Sequence, residues 1–440
     1  MGDKMNKQLP LKETFALGFF MFALFLGAGN LIFPPLLGQQ AGTSIWYAIV
    51  GFLVTGVGLP ILAIITISQV AGNIDEISKR VHPIFATVFP FIIYLSIGPF
   101  FGIPRTGTVA YEIGVVPFLA ESSDRSLLIS TLLFFTVTYW VALNPSKLVE
   151  RVGKILTPIL LVAIVIISIK SVITPLGEIG EPTIKYREGA FTTGFIEGFL
   201  TMDAIAALAF GIVVIHRIQE RGISSIPKIR NYTIKAGLIA GLALSLVYLS
   251  LAYIGSTSVQ SIGMQDNGGQ ILSAVTSQLF GSLGTILLSI VITSACLTTS
   301  IGLVSACGEF LHERFRRLPY PVIIAVICLF SFTMANLGLN QLISVSLPIL
   351  IAIYPITIVL IVLSLLHSYI KIPRTVYIGA MSGAGLVSIV DGLVQAGFHL
   401  TVLLDIYSHL PFFDNGVGWL VPSIVGACIG FFYGMFQKTK

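Results

Sequence analysis

The sequence predicts an all-α membrane protein of about twelve transmembrane helices, with the first and sixth helices broken. Three observations support this class. Hydrophobic residues make up 55% of the 440 positions and charged residues only 10%, a balance that excludes an ordinary water-soluble domain. Apolar runs of spanning length alternate with short polar loops along the chain. Lysine and arginine concentrate on every second loop, as they do on the cytoplasmic side of membrane proteins.

The predicted spans are apolar runs of about 20 residues, the length needed to cross the hydrocarbon core. Numbered 1 to 12 in chain order, they lie at about residues 14–38, 45–70, 84–110, 127–143, 155–174, 190–215, 234–254, 279–309, 321–336, 341–366, 376–398 and 417–436. Spans 1–5 (about 14–174) and 6–10 (about 189–367) form two halves, and two additional helices follow (about 375–436). No Walker A, HExxH, GxSxG or paired-Cys motif appears. We therefore expect residues 1–440 to form one transmembrane domain that is not an enzyme.

The distribution of positive charge sets the predicted orientation. All but five of the 25 lysines and arginines share one face of the topology. The exceptions are Arg125, Lys170, Lys185 and Arg187 on the other face, and Arg105 within span 3. Because the face richer in lysine and arginine lies in the cytoplasm, both termini are expected to be cytoplasmic. No cleavable signal peptide is expected, since the first apolar run is already of spanning length.

Span 1 is interrupted in its middle by the sequence Gly-Ala-Gly-Asn at residues 27–30. Glycine lowers the cost of leaving helical φ and ψ, and a break frees carbonyls on one side and amide N–H groups on the other. Such a break attracts a cation and a carboxylate. Pro34 and Pro35 are expected to end the helix just past it. The alternative is that the glycines only allow close helix packing, but Asn30 favours a site because a buried amide needs a partner.

Span 6 carries a second group of polar residues, Glu197, Gly198, Thr201 and Asp203. Alone, Glu197 would be read as a residue snorkelling to the interface, but two acids beside a glycine favour a water-filled cavity. Span 6 opens the second half as span 1 opens the first, and the two run in opposite directions. Interruptions at corresponding positions of two opposed halves are typical of an inverted-repeat transporter.

Span 3 contains Gly98-Pro99-Phe-Phe-Gly102-Ile-Pro104-Arg105-Thr106, which loosens the helix and places an arginine inside a span. An isolated guanidinium there is unfavourable. One interpretation is that Arg105 snorkels to the headgroups. The hypothesis that we carry forward is that Arg105 pairs with Glu197 as an outer gate, with Asp203 as the next partner to test.

Span 8 shows one stripe of small and polar residues on an apolar helix: Ala295, Thr298, Thr299, Gly302 and Ala306. The stripe is consistent with helix packing or, if it faces the carbonyls of span 1, with a cation site built from oxygen atoms. Spans 11 and 12 carry GxxxG faces, at Gly379 and Gly383 and at Gly426, Gly430 and Gly434, for close packing or an oligomer contact. The four cysteines have no metal-ligand spacing and are read as packing residues.

Taken together, these motifs resemble the bacterial branched-chain amino acid:cation symporter family along essentially the whole chain. The resemblance rests on residues 27–35, 98–106 and 197–203. It implies the five-plus-five inverted-repeat fold of the leucine-transporter-like superfamily, a place in the bacterial inner membrane, and uptake of leucine, isoleucine and valine with sodium or, in some members, protons.

The superfamily also implies a sodium site. The run Ala295-Cys-Leu-Thr298-Thr299-Ser-Ile is similar to the superfamily's Ala-x-Leu-Thr-Ser-Ser-Ile, in which the first carbonyl and two hydroxyls bind the ion. Carried over, the ligands are Ala295, Thr298 and Thr299, with the carbonyls of Ala23 and Leu26 from span 1. Phe25 stands where a small residue is usual, which argues against a second sodium beside the substrate.

The sequence thus predicts a sodium symporter with no other cofactor and no nucleic-acid partner. Its substrate site would comprise Gly27, Ala28, Gly29 and Asn30 with Gly98, Gly198 and Thr201. The substrate carboxylate would meet the amides of residues 28–30, and the ammonium the carbonyls around Gly198 and Thr201. Two alternatives remain: a proton-coupled carrier that uses Asp203 or Glu197, and an amino acid sensor that does not translocate.

Overall fold

A computed structural model of the chain describes residues 9–70, 72–144 and 148–438. These residues form helices joined by turns, with no β-strand among them. Both chain termini and several basic residues of the predicted orientation (Lys4, Lys7, Lys147 and Lys440) lie outside the described residues.

The described part of the chain contains nineteen α-helices, numbered here in chain order. The helices of the first half are α1 (Leu11–Phe25), α2 (Ala28–Ala41), α3 (Ile45–Leu53), α4 (Leu59–Ser68), α5 (Ile74–Lys79), α6 (Pro83–Leu95), α7 (Gly102–Gly114), α8 (Asp124–Ala142) and α9 (Leu148–Ile173). The remainder are α10 (Ile184–Glu197), α11 (Asp203–Gln219), α12 (Ile226–Ser256), α13 (Val259–Ile262), α14 (Gly268–Arg314), α15 (Tyr320–Ala335), α16 (Leu339–His367), α17 (Arg374–Gln395), α18 (Thr401–Tyr407) and α19 (Leu420–Lys438).

Each of the twelve predicted spans coincides with one helix or with consecutive helices, which confirms the all-α prediction. Spans 1 and 6 are each a pair of helices, α1 with α2 and α10 with α11. By length and composition, seven helical stretches in the described part of the chain can cross a membrane, or eight if the bent pair Ile184–Thr201 and Asp203–Gln219 is one span. The count of twelve crossings stays a prediction.

The prediction that Pro34 and Pro35 end the first span is wrong. Both prolines lie inside α2, which continues to Ala41. Proline has a helical φ, and the packing of α2 along α12 offsets the cost of about 3 kcal/mol for the lost backbone donor and the crowded preceding turn. The second half of span 1 is therefore a helix of 14 residues.

The first span of each half packs on the second span of the other half. In the first half α1 and α2 lie along α12, and in the second half α10 lies along α3 and α11 along α4. Both broken spans are therefore held by partners that are distant in sequence.

Glycines bring these helices into backbone contact. A Cβ on Gly38 of α2 would lie 1.9 Å from the carbonyl oxygen of Ala252 in α12, and a Cβ on Gly194 of α10 would lie 1.9 Å from that of Ala48 in α3. Real Cβ atoms do not approach other atoms so closely, so only glycine fits at either position. The helices beside both breaks are thus fixed at short distance.

The glycine faces of spans 11 and 12 pack on each other within this chain. A Cβ on Gly379 of α17 would lie 2.1 Å from the carbonyl oxygen of Gly426 in α19, and the reverse distance is also 2.1 Å. Gly383 and Gly430 make equally close approaches to the opposite helix. These glycine faces are therefore buried against each other within one chain and do not form an oligomer contact.

Candidate functional site

The first break lies between α1 and α2. Helix α1 ends at Phe25, and Leu26 and Gly27 leave the helical conformation, with ψ of 86° and −174°. The side chain of Asn30, in the first turn of α2, accepts a hydrogen bond from the Gly27 N–H at 3.0 Å. This caps one orphan donor, while the other N–H groups of the first turn have no acceptor within their helix. The predicted break in span 1 is confirmed.

The second break lies between α10 and α11, which meet at an angle of 41°. A 3-10 turn at Gly198–Thr201 follows α10, and Met202 then adopts a left-handed conformation with φ 63° and ψ 11°. This conformation costs a non-glycine residue about 1–2 kcal/mol. The Thr201 hydroxyl donates to the Gly198 carbonyl oxygen at 2.9 Å. The break predicted in span 6 is confirmed: the α-helix ends at Glu197, and the chain changes direction at Met202.

A hydrogen-bond network joins the two breaks. Asn30 Nδ2 donates to Asp203 Oδ2 at 2.5 Å and also to the hydroxyl oxygen of Tyr248 in α12. The Tyr248 hydroxyl donates in turn to Asp203 Oδ2 at 3.1 Å. All three side chains are buried. Asp203 begins α11, where the helix dipole favours a negative charge.

Arg105 lies beside this network and is 1% exposed. Its Nη1 donates to the carbonyl oxygen of Leu200 at 2.5 Å, and its Nη2 lies 3.4 Å from Ser346 Oγ in α16. Its guanidinium carbon stands 5.1 Å from the centre of the Phe33 ring. Its Nε has no hydrogen-bond partner among the described residues.

The two breaks and Arg105 enclose a cavity of about 60 Å³. Its polar wall includes both breaks, Arg105, Asp203 and one threonine of α14, and most of the rest is apolar. The lining residues are Leu24, Phe25, Gly27, Ala28, Gly29, Asn30, Ile97, Gly102, Arg105, Thr106, Thr201, Met202, Asp203, Ala206, Phe210, Thr299 and Leu303.

The predicted contact between Arg105 and Glu197 is wrong. Glu197 bonds instead within its own helix: its Oε1 lies 2.8 Å from Lys185 Nζ, and its Oε2 accepts from the Tyr186 hydroxyl at 2.5 Å. Arg105 is fully buried beside the cavity, so its guanidinium does not reach the surface of the protein and does not snorkel either. The positions of two residues along their spans indicate their depths in the membrane but do not fix the directions of their side chains.

Two of the predicted substrate-site residues do not line the cavity. A Cβ on Gly98 would meet Cys307 Sγ at 2.6 Å, and a Cβ on Gly198 would meet Thr55 Oγ1 at 2.0 Å. Both glycines therefore serve close packing between helices. The other predicted members, residues 27–30 and Thr201, do line it.

Of the residues of the predicted sodium site, Leu26 and Thr299 lie at the first break. The hydroxyls of Thr298 and Thr299 both donate to the Ala295 carbonyl oxygen, at 2.9 and 3.0 Å. Thr299 lines the cavity and faces Gly27, since a Cβ on that glycine would lie 3.6 Å from its methyl carbon. Leu26 lies in the break itself, and Ala23 lies three residues before it.

Tyr248 is the site residue that the sequence analysis missed. It is a tyrosine in the middle of an apolar span, and its ring packs edge-on against Phe52 at 5.4 Å. A buried tyrosine hydroxyl normally has a hydrogen-bond partner. That signal, read with Asn30 and Asp203, could have identified it.

Comparison with known proteins identifies relatives of this chain in sequence and in fold. Two relatives from Bacillus subtilis (strain 168) are branched-chain amino acid permeases: BraB, 50% identical with 98% of both chains covered, and BrnQ, 46% identical with 99% of this chain and all of the relative covered. Solved transporter structures share the fold. A closed Mhp1, of the nucleobase-cation-symport-1 family, aligns with a TM-score of 0.60 at 14% identity, covering 96% of this chain and 92% of the other. MhsT in complex with L-phenylalanine aligns with a TM-score of 0.56 at 16% identity, covering 97% and 99%.

A family model described as "Branched-chain amino acid transport protein" matches residues 10–437. The family and these relatives are transport proteins and not enzymes. Since the match spans nearly the whole chain and the relatives align end to end, the protein belongs to the branched-chain amino acid transport protein family.

Proposed function

We propose that the protein is a secondary active transporter that imports leucine, isoleucine and valine by sodium symport, with alternating access. The observation that carries the proposal is the cavity between two broken helices, which has apolar walls and polar groups at the breaks. The permease relatives support the substrate class, because their names specify branched-chain amino acids.

In this proposal the substrate carboxylate meets the free N–H groups of Ala28, Gly29 and Asn30 at the start of α2. A helix of this length attracts an anion at its N-terminus. The ammonium lies toward Thr201 at the second break. The aliphatic side chain lies against apolar residues such as Ile97 and Phe210.

The proposed sodium ligands are the carbonyl oxygens of Ala23, Leu26 and Ala295 and the hydroxyls of Thr298 and Thr299. Hard cations prefer oxygen ligands of this kind. The position of Thr299 supports the site, because this residue lines the cavity with its methyl carbon next to Gly27 and so brings α14 to the first break.

Proton coupling is the second candidate for the driving ion. It is favoured by one observation: Asp203 is a buried carboxyl group on the cavity wall, at the break itself. Charged groups buried within a membrane often mark ion pathways. Glu197 has less support, since its partners lie within α10 and it does not line the cavity.

We further propose twelve crossings in the bacterial inner membrane, with both termini cytoplasmic. The proposed inverted repeats comprise residues 14–174 and 189–367, followed by two extra helices at 375–436. The exchange of packing partners between the halves, α1 and α2 on α12 and α10 and α11 on α3 and α4, supports the repeat.

Uptake of radiolabelled leucine by purified protein in vesicles tests the proposal. We expect accumulation under an inward sodium gradient, and competition by isoleucine and valine. A chain that carried lysine or glutamate and ignored branched-chain residues would overturn the substrate class. Accumulation that follows a proton gradient and ignores sodium would transfer the coupling to protons, and binding without counterflow would identify a sensor.

A further inference from the structure

Two buried charges line the cavity without pairing with each other. Arg105 is 1% exposed and Asp203 is 4% exposed, and no ion pair joins them within 4.0 Å in the described part of the chain. A buried charge is costly unless it is paired and hydrogen-bonded. The arrangement therefore calls for a partner for each charge.

Each of the two side chains keeps unused hydrogen-bonding capacity. Within the part of the chain that the structure describes, the Nε of Arg105 has no hydrogen-bond partner, although its Nη atoms contact Leu200 and Ser346. Asp203 accepts the bonds from Asn30 and Tyr248 on Oδ2, whereas Oδ1 has only the nearby Thr201 hydroxyl as a neighbouring side-chain donor within the described residues. A carboxylate has about four lone-pair sites, so this oxygen is available to a ligand.

The guanidinium of Arg105 also lies next to the start of α2. A Cβ on Gly29 would lie 3.3 Å from Arg105 Nη1, so the glycine allows the guanidinium to lie close to the backbone at the start of α2. The positive end of the helix dipole and the guanidinium therefore act on the same space. The Phe33 ring supports the guanidinium at 5.1 Å.

We propose that Arg105 and Asp203 bind the two charged ends of the transported amino acid. Arg105, with the first turn of α2, takes the α-carboxylate, and Asp203 Oδ1 takes the α-ammonium. This inference rests on the proposed function and deepens it. It makes the site selective for zwitterions, since a substrate that lacks either charge leaves a buried group without a partner.

The competing explanation is that Arg105 is structural and only satisfies the carbonyl of Leu200. The two explanations differ in what they predict for substrate analogues. Leucinamide keeps the ammonium of leucine and lacks its carboxylate, whereas 4-methylpentanoate keeps the carboxylate and lacks the ammonium. A structural role would change the affinities for leucine and its analogues together.

The test is a calorimetric measurement of Kd for leucine and both analogues, on the purified full chain and its variants. In the unmodified chain leucine should bind more tightly than leucinamide by about 10- to 100-fold, the range for a charge-assisted hydrogen bond. Arg105→Gln should lower this ratio by about tenfold, because only the N–H groups of α2 then hold the carboxylate, and Arg105→Lys should restore part of the loss. Asp203→Asn should likewise lower the ratio by which leucine binds more tightly than 4-methylpentanoate.

Arg80→Gln is the matched control, because Arg80 also donates to a backbone carbonyl, that of Ser364 at 3.3 Å, but lies outside the cavity. It should leave both ratios unchanged. If Arg105→Gln folds and keeps the leucine-to-leucinamide ratio, the inference is overturned while the proposed function stands. If Arg105→Gln does not fold, an unchanged ratio between leucine and 4-methylpentanoate in Asp203→Asn has the same meaning. An unmodified chain that binds no branched-chain amino acid overturns the proposed function itself.

Discussion

Asn30 and Asp203 are 173 positions apart, yet the amide nitrogen of one lies 2.5 Å from a carboxylate oxygen of the other. Asn30 also caps the Gly27 N–H, and Asp203 begins α11. One hydrogen bond therefore connects the start of α2 to the start of α11. Any movement of one break acts directly on the other.

We expect Asn30→Ala to be more damaging than Tyr248→Phe. The first change leaves the Gly27 N–H, the Asp203 carboxylate and the Tyr248 hydroxyl short of a partner, at about 1–3 kcal/mol for each unsatisfied buried group. The second removes one hydroxyl and keeps the ring against Phe52. Melting temperature in detergent and leucine Kd measure the difference. Equal losses in the two variants would mean that the network is held elsewhere.

Replacing Thr298 and Thr299 together by alanine should weaken activation by sodium. The change removes two of about five proposed oxygen ligands. If each is worth about 1 kcal/mol, the sodium concentration for half-maximal uptake should rise roughly thirtyfold. Thr136→Ala is the control, since its hydroxyl bonds its own helix at 2.7 Å on an exposed face. Sodium activation identical to that of the control would exclude this site.

Lys185 and Glu197 should be coupled in a double-mutant cycle, whereas Arg105 and Glu197 should not. Lys185 Nζ lies 2.8 Å from Glu197, but its side chain is 61% exposed, so solvent limits the coupling to about 1 kcal/mol or less. The measurement is the unfolding temperature of each single Gln variant and of both doubles, at low and high salt. Non-additive losses for Arg105 and Glu197 would restore the outer-gate hypothesis.

Gly194→Ala should destabilise the protein, and Gly302→Ala should not. The added methyl group at residue 194 would lie 1.9 Å from a backbone oxygen of α3, whereas at residue 302 it would meet no atom within 4 Å. Overpacking costs about 1–3 kcal/mol or more, while alanine in a helix is favoured over glycine by up to about 1 kcal/mol. Recovery of folded protein by size-exclusion chromatography and its melting temperature compare them. A stable Gly194→Ala variant would contradict the tight contact of α10 with α3.

The broken helices were predictable because the residues that favour a break lie next to it in the sequence. Two glycines and a polar amide inside span 1 are unfavourable for a plain transmembrane helix, and the break lies there. In span 6 the polar residues indicated the region of the break but not the residue at which the chain changes direction. Met202 carries the left-handed conformation, and nothing in its side chain favours that. Contacts with the rest of the molecule impose it.

The partners of the buried charges were not predictable in this way. The sequence indicated that Arg105 needs a partner, but the direction of its side chain depends on how α7 is packed against α14 and α16. Asp203 was identified as a candidate without its link to Asn30, because a contact across 173 positions has no local signature. The course of α2 through Pro34 and Pro35 likewise depends on more than the local rule that proline ends helices.

The long separation between Asn30 and its partners has a consequence for biosynthesis. Asn30 leaves the ribosome 173 residues before Asp203 and 218 residues before Tyr248. At about 5–20 residues per second, its amide waits roughly 10–40 s in the membrane before Tyr248 is made. During that time the first two helices also lack α12, the helix on which they pack. A nascent chain that stalls before residue 248 should therefore be exposed to quality-control proteases.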